Sequence, residues 1–202
     1  VVAEVAVANR GHLSRQPLAT IVEQLTEAVG ASGVAVAVVA QERQLVQPLA
    51  WSGFADAVVG PWLEIALDEA TPGNRAIKRR ATAFYATAGE IEKEFPDRPW
   101  PFAESVHVSF LFVPLVVGRR ANGLLVMSWD ELHPVSLDER RFVEALAGQT
   151  AQALDRATHF ETEQTIAVTL QRSVLPASLP RIEGAQLAAR YLPGTAELDV
   201  GG

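Results

Sequence analysis

The longest stretch of this chain without a strong helix breaker runs from Leu137 to the residue before Pro176, and it constrains the fold more than any other feature. Ser136 and Glu139 at its start have the spacing of a capping box, which satisfies the first free amides of a helix. At 1.5 Å per residue, the predicted helix could reach about 57 Å. A domain of this size cannot cover a helix of that length, so we expect its later half to project from the domain.

The residues before Leu137 predict short helices and strands that together make an α+β fold. Apolar residues spaced by three and four indicate a helix that ends at Gly30, while valine-rich runs indicate strands. Thr71 followed by Pro72 is typical of a helix start. The predicted helices span residues 17–29, 56–66, 72–79 and 87–94, and the predicted strands span residues 33–40, 45–51, 82–85, 107–117 and 123–129. This order is typical of one antiparallel sheet flanked by helices.

Composition and charge exclude several classes of partner. Acidic residues outnumber basic ones and give a net charge of −7, whereas a nucleic-acid-binding surface is generally basic. The chain has no cysteine, and no apolar run reaches the roughly 18–20 residues that span a membrane. We therefore expect a cytoplasmic protein without a nucleic-acid partner, membrane contact or disulfide. Because the sequence begins at Val1 rather than methionine, residues 1–16 are interpreted as the end of an upstream element.

A series of short motifs between residues 17 and 158 resembles the GAF domains of bacterial signalling proteins. The matching residues, in chain order, are Leu67-Asp68, Thr71-Pro72, Ala76-Ile77, Val113-Pro114-Leu115, Gly123-Leu124 and Phe142-Val143-Glu144-Ala145-Leu146-Ala147. The resemblance implies a small-molecule sensor with a cavity between one face of the sheet and the short central helices. We therefore expect residues 17–158 to form a GAF-like domain that binds an unknown small molecule.

Polar groups on the strand that begins at residue 107 are the first candidates for contact with a ligand. Strand alternation places His107 and Ser109 on the same face as Leu111 and Val113, and a bound molecule could supply their hydrogen-bond partners. Backbone groups or water could equally satisfy both side chains. The complete set of candidate ligand-binding residues is Trp51, Trp62, Phe84, Tyr85, His107, Ser109 and Trp129. Its aromatic members could also be ordinary core residues.

Asn74 and Arg75 form a separate candidate site, because the first turn of a helix favours anions such as phosphate or carboxylate. Surface arginine near a helix end is nevertheless common without a bound anion. The four histidines are scattered without the spacing of metal ligands, and no nucleophile lies at a diagnostic spacing from a base. We therefore predict that this chain is not itself an enzyme and holds no metal or cofactor of its own.

The C-terminal part of the chain resembles the entry to a second kind of domain, the SpoIIE-like metal-dependent serine/threonine phosphatase. The resemblance rests on Leu170-Gln171-Arg172-Ser173-Val174-Leu175-Pro176, on Ala188-Ala189-Arg190-Tyr191-Leu192-Pro193 and on Val200-Gly201-Gly202. In that family the glycine pair is followed by Asp-Trp-Tyr-Asp, whose aspartates help hold the catalytic Mn or Mg ions, and here the sequence stops at Gly202. Residues 177–202 are therefore expected to be the start of a phosphatase domain without its catalytic aspartates.

Residues 159–176 are interpreted as a signalling-helix linker between the sensor and the phosphatase. Phe160, Ala167, Leu170 and Val174 form a narrow apolar stripe, which suits pairing with a second copy or packing on the chain's own phosphatase domain. We expect a homodimer in which the ligand alters a phosphatase that acts on a phosphoprotein of the anti-anti-sigma type. Two alternatives stay open: a ligand-free GAF dimerisation scaffold, and a GAF sensor of another signalling enzyme such as a histidine kinase.

Overall fold

The computed structural model describes residues 6–7, 15–97 and 106–173, and within these ranges strands and helices follow the predicted order. In chain order the elements are β1 (Ala6–Val7), α1 (Arg15–Val29), β2 (Gly33–Ala40), β3 (Leu45–Ser52), α2 (Asp56–Val59), a 3₁₀ turn (Gly60–Trp62), β4 (Ile65–Ala66), α3 (Pro72–Arg79), β5 (Ala83–Tyr85), α4 (Ala88–Glu94), β6 (Ser109–Val117), β7 (Arg120–Trp129) and α5 (Leu137–Ser173). Each predicted strand is present within three residues of its expected bounds, so the predicted α+β class is confirmed.

One predicted helix, at residues 56–66, is wrong over most of its length. The chain there forms a single α-helical turn, then the 3₁₀ turn, then the two-residue strand β4. Pro61 explains the interruption, because proline lacks the amide that an α-helix needs and restricts the residue before it. The segment is therefore a succession of short elements instead of one helix.

The strands form one antiparallel sheet in the order β1-β3-β2-β7-β6-β5, and β4 pairs with the first two residues of β3. The central strand β2 pairs with β3 on one side and β7 on the other, so that Ala35 lies opposite Trp51 and Val126. A register shift between Val36 and Ala37 marks a bulge in the β2–β3 ladder. The predicted hairpin is β6–β7, which turns at Gly118.

Two hydrophobic clusters lie on opposite faces of this sheet. On one face α1 and α5 cover Val34, Leu111, Leu125 and Met127, all almost completely buried. On the other face the segment from α2 to α4 covers a cluster of aromatic and aliphatic residues that includes Phe110, Phe112 and Leu124. Neighbouring residues of β6 and β7 thus belong to different clusters, as the alternation of a strand requires.

Side chains at the helix starts account for several of the helix boundaries. Thr71 caps α3 by accepting a hydrogen bond from the amide of Asn74 at 3.1 Å. Ser136 and Glu139 form the predicted capping box of α5, because the Glu139 amide donates to Ser136 Oγ at 3.1 Å and the Ser136 amide donates to the Glu139 carboxylate at 3.4 Å. The capping box predicted at Thr87 is wrong: the Thr87 side chain caps nothing, and the Glu90 carboxylate accepts from the amide of Ala86 instead.

The long C-terminal helix is present, since α5 continues without interruption to Ser173. The chain divides into two compact units, residues 1–161 and residues 162–202. Residues 174–202, which carry the predicted start of a phosphatase domain, lie outside the described part of the chain, as do the side chains of the stripe that begins at Phe160. The interpretation of that stripe as a pairing surface therefore stays a prediction. None of the described helices combines the length and apolar character needed to cross a membrane.

Candidate functional site

A cavity of about 80 Å³ lies between the sheet and the segment that runs from β3 to α3. Strands β2, β3, β6 and β7 supply seven of its lining residues: Ala35, Ala37, Val46, Pro48, Phe112, Leu124 and Val126. The covering segment supplies the others: Phe54, Val59, Trp62, Ile65, Thr71, Gly73 and Asn74. The position is the one that the GAF resemblance implied, between one sheet face and the short central helices.

Small residues create the space for this cavity. Ala35 and Ala37 on β2 present only methyl groups to it, so the centre of the sheet leaves room above the backbone. At the start of α3, Gly73 lies so close to the sheet that an added Cβ would be 2.6 Å from Leu124 Cδ2. The helix start therefore closes over one side of the cavity, and alanine there would push the Leu124 side chain.

The described lining residues carry no charge, and Asn74 is the most polar of them. Its side chain is 2 % exposed, and Nδ2 donates to the carbonyl oxygens of Ala66 at 2.7 Å and Glu69 at 2.9 Å. Two carbonyl neighbours fix the orientation of this amide, because only the nitrogen can donate to them. The side-chain oxygen Oδ1 accepts no hydrogen bond from the described residues, so it is available as an acceptor.

Of the seven residues predicted to bind a ligand, only Trp62 lines this cavity. Trp51 and Tyr85 are buried in the same cluster, and the Tyr85 ring contacts Phe112 edge-on with 5.9 Å between centroids. Phe84 is 39 % exposed, and Trp129 belongs to the cluster beneath α1 and α5, where its indole nitrogen donates to the carbonyl of Val29. Contact of these residues with a ligand stays a prediction.

Contact of His107 and Ser109 with a ligand stays a prediction; the cavity lies on the face of β6 opposite the one predicted for the ligand. Phe112 lines it, whereas Leu111 and Val113 face α1 and α5. His107 and Ser109 do not line it, and described groups of the protein already bond to both. Ser109 Oγ lies 2.9 Å from the Ala86 carbonyl and 3.2 Å from the Glu131 carbonyl, and it accepts from the amide of His133 at 3.0 Å. These hydrogen bonds agree with the alternative in which groups of the protein, rather than a ligand, satisfy both side chains.

His107 joins the end of β3 to β7. Its Nε2 lies 3.2 Å from the Gly53 carbonyl, which can only accept, so Nε2 carries the proton and Nδ1 accepts from Ser128 Oγ at 3.1 Å. Burial lowers the pKa of His107, and the Asp130 carboxylate, 3.8 Å from Nδ1, opposes that effect only in part, as does the bond to Gly53. His107 is therefore a neutral structural group at the edge of the cavity-side cluster.

Arg75 is not free to bind an anion at the start of α3. Its guanidinium forms an ion pair with Glu94 and lies over the ring of Tyr85, 5.5 Å from the centroid. The Tyr85 hydroxyl donates to the same carboxylate group at 3.0 Å. Burial raises the pKa of Tyr85, while the positive charges of Arg75 and Arg79 oppose the rise. These contacts connect β5, α3 and α4, and they assign Arg75 a structural role.

A second depression, of about 320 Å³, lies where the loop after α3 and strand β6 approach α5. It is larger than the apolar cavity but polar, and its charged groups already have partners. Thr82 Oγ1 donates to the Glu144 carboxylate at 2.7 Å, and Arg140 Nε donates to the same oxygen at 3.0 Å. Burial alone would raise the pKa of Glu144, but these two bonds outweigh it and hold the pKa below its usual value. We therefore take the smaller, apolar cavity as the candidate site.

The sequence contains a signal for this site in its small residues rather than in its aromatic ones. Along β2 alanine alternates with valine from Val34 to Ala37, so one face of the central strand carries valine side chains and the other carries only methyl groups. A buried strand with methyl groups along one face leaves space for another molecule or a close helix. The same reasoning applies to Gly73, which sits directly after the proline that begins α3.

The described residues contain no cluster of three or more side chains able to hold a metal ion. In the apolar cavity, Thr71 and Asn74 supply neutral oxygens and the remaining walls are hydrocarbon, aromatic or backbone. Such a site can enclose a small uncharged molecule and accept one or two hydrogen bonds. None of its described lining residues is an acid, a base, a histidine or a cysteine, the side chains that most often transfer protons or act as activated nucleophiles.

Solved structures with the same architecture come from several bacterial proteins. The GAF domain of a phosphoenolpyruvate-protein phosphotransferase from Coxiella burnetii has a TM-score of 0.62 and 22% identity, over 75% of this chain and 88% of that one. The corresponding GAF domain from Acinetobacter gives 0.61 and 20%, over 72% and 84%. A domain of a putative two-component sensor histidine kinase from Sinorhizobium meliloti 1021 gives 0.60 and 13%, over 76% and 99%. At these identities the likeness establishes the fold alone.

The family model of the GAF domain matches residues 15–155, which is more than half of the chain. No curated protein sequence is similar enough to this chain to count as a match. The matched residues run from the first helix into α5 and include every residue that lines the apolar cavity. This chain therefore belongs to the GAF domain family.

Proposed function

We propose that this GAF domain binds a small molecule in the apolar cavity and thereby controls a signalling enzyme joined to it through α5. The observation that carries the proposal is the cavity of about 80 Å³ between the sheet and the α2–α3 segment. Protein cores are close-packed, with few voids larger than a water molecule. Space in this position therefore favours a ligand over the alternative of a scaffold that only dimerises.

The position of α5 supports a regulatory role. Its first half packs against the sheet through Val143, Ala147, Ala151 and Leu154, on the face opposite the cavity. The helix then continues to Ser173. A ligand that binds two arrangements of α5 with different affinity would shift the balance between them, and a ligand without such a difference would not.

The enzyme that we propose is a SpoIIE-like serine/threonine phosphatase, supported by the sequence from Leu170 to Pro176 and the later motifs that end at Gly202. Under this proposal the phosphatase domain uses Mn or Mg to remove phosphate from a regulatory phosphoprotein, and two copies pair through their C-terminal helices. A sensor histidine kinase is the second candidate, since a domain of such a protein has the same fold.

Native mass spectrometry of the protein, followed by an activity assay, tests this proposal. The first measurement reports any retained small molecule and the number of subunits. The second compares phosphatase rates on a phosphoserine peptide, with manganese, for loaded and empty forms of the protein that carries this chain and the phosphatase domain together. We expect the two rates to differ several-fold, and the Ala37→Leu variant, with its cavity filled, to lose the response. Equal rates for the loaded and empty forms would refute regulation by the cavity.

A further inference from the structure

We infer that the ligand of this cavity is a small, uncharged and mainly apolar molecule with one O–H or N–H group, which donates a hydrogen bond to Asn74 Oδ1. The inference rests on the proposed function, since it names the chemistry of the molecule that the cavity would sense. Three properties of the site lead to it: its volume, the absence of charge among the described lining residues, and the side-chain oxygen of Asn74, to which no described residue donates.

The volume limits the part of a ligand that the cavity can hold. A water molecule takes about 30 Å³ of liquid, and an apolar cavity of about 150 Å³ can hold benzene. A cavity of about 80 Å³ therefore accommodates roughly three to five non-hydrogen atoms without movement of its walls. A nucleotide is several times larger than this space.

The walls exclude a charged ligand. Ala35, Val46, Phe54 and Val126 surround the space with carbon atoms, and no described lining residue could form an ion pair. The nearest charged cluster of α3, Arg75 with Glu94, is paired internally. The free energy needed to transfer an unpaired carboxylate or ammonium group into such a site is far larger than the free energy gained by burial of the ligand's hydrocarbon part.

Asn74 selects a hydrogen-bond donor. Both protons of its amide nitrogen are committed to the carbonyls of Ala66 and Glu69, so the residue can offer a ligand only its oxygen. A ligand that lacks a donor would enclose this oxygen without a partner, which lowers affinity. Donation from an alcohol or amide satisfies it.

Isomeric ligands test this chemistry without a change to Asn74, whose substitution would also break its bonds to the backbone. Butan-1-ol and methyl propyl ether have the same atoms and similar size, but only the alcohol can donate. Titration of the 202-residue chain, followed by amide chemical shifts in NMR, should give a dissociation constant for butan-1-ol on the order of 0.1–1 mM, within the limit for about five non-hydrogen atoms. The ether should bind about three- to tenfold more weakly, and butanoate should not bind.

Variants on the two faces of the sheet show where the alcohol binds. Ala37→Leu fills the cavity and should weaken binding at least tenfold, whereas Leu124→Ala enlarges it and should shift the preference toward hexan-1-ol. Leu125→Ala is the matched control, because the next residue of β7 faces α1 and α5 and its truncation should leave the affinity for butan-1-ol within about twofold. Thermal unfolding of each variant shows whether it is folded. If Ala37→Leu does not fold, the size preference of Leu124→Ala still tests the location of the binding site.

Equal affinities for the alcohol and the ether would overturn the role of Asn74. Tighter binding of butanoate, or an unchanged size preference in Leu124→Ala, would overturn the inferred ligand class. These failures leave the proposed regulation intact if native mass spectrometry finds a different molecule that alters the enzyme rate. Conversely, alcohol binding as expected with no effect on the rate would refute the regulation and not the ligand chemistry.

Discussion

The glycine that follows β3 gives the sharpest test of how this fold is constrained. Gly53 has φ +76°, and a Cβ added there would lie 1.8 Å from the carbonyl oxygen of Ser32 and 2.8 Å from the Cα of Gly33. Both contacts are with backbone, which cannot rotate away as a side chain can. Gly53→Ala therefore combines an unfavourable backbone conformation with forced separation of two chain segments.

The size of the effect follows from these two contributions. A positive φ costs a residue with a Cβ about 1–2 kcal/mol, and separation of the packed segments adds about 1–3 kcal/mol. Gly118→Ala isolates the first contribution, since Gly118 has φ +60° and nothing lies within 4 Å of its added Cβ. Gly148→Ala, within α5 and also without a close neighbour, should instead stabilise the protein by about 0.5–1 kcal/mol.

Urea unfolding of the three variants, followed by circular dichroism, measures their free energies of unfolding. We expect Gly53→Ala to lose about 2–5 kcal/mol, Gly118→Ala to lose about 1–2 kcal/mol and Gly148→Ala to gain. If Gly53→Ala is no less stable than Gly118→Ala, the close approach of Ser32 is not a constraint and the reasoning is refuted.

Four further substitutions test individual side chains. Because folding lowers the pKa of His107 below 6.5, the neutral ring contributes to the free energy of unfolding. This contribution is complete above pH 6.5 and is lost as the pH falls toward the folded pKa. His107→Gln should remove this part of the pH dependence in urea unfolding between about pH 7.5 and 5.5. Ser136→Ala should cost about 1 kcal/mol in the same assay, whereas Thr87→Ala, which removes no cap bond, should cost much less. Thr82→Val should raise the pKa of Glu144 in an NMR titration, and an unchanged pKa would contradict the assigned hydrogen bond.

Local patterns were sufficient to predict most of the elements, because their causes lie within a few residues. Thr71 and Pro72 begin α3 at the expected position, and Ser136 with Glu139 begins α5. Thr87 shows where such reasoning fails. Its spacing to Glu90 fits a capping box, yet the carboxylate bonds to the amide one residue earlier, at Ala86. The choice between neighbouring amides depends on the approach of the chain from β5, which no local pattern specifies.

The cavity was harder to predict than the fold, because its position depends on which helices pack against each face of the sheet. Alternation along β6 correctly separated Leu111 from Phe112, but it could not say which of the two faces lies beneath α5. The sequence placed the ligand beside the polar residues His107 and Ser109, whose hydrogen bonds are made within the protein to backbone groups and to Ser128. The residues that form the space are small ones, such as Ala35 and Gly73, whose contribution is the volume they leave empty.

The strict division of β7 between two clusters has a consequence for how proteins of this design can diversify. Leu124 and Val126 border the cavity, while Leu125 and Met127 pack on the face that α1 and α5 cover. Mutations at every second position of β7 can therefore change the lining of the cavity without altering the packing against α5. The cavity lining can thus vary in sequence while the residues that pack against α5 stay the same.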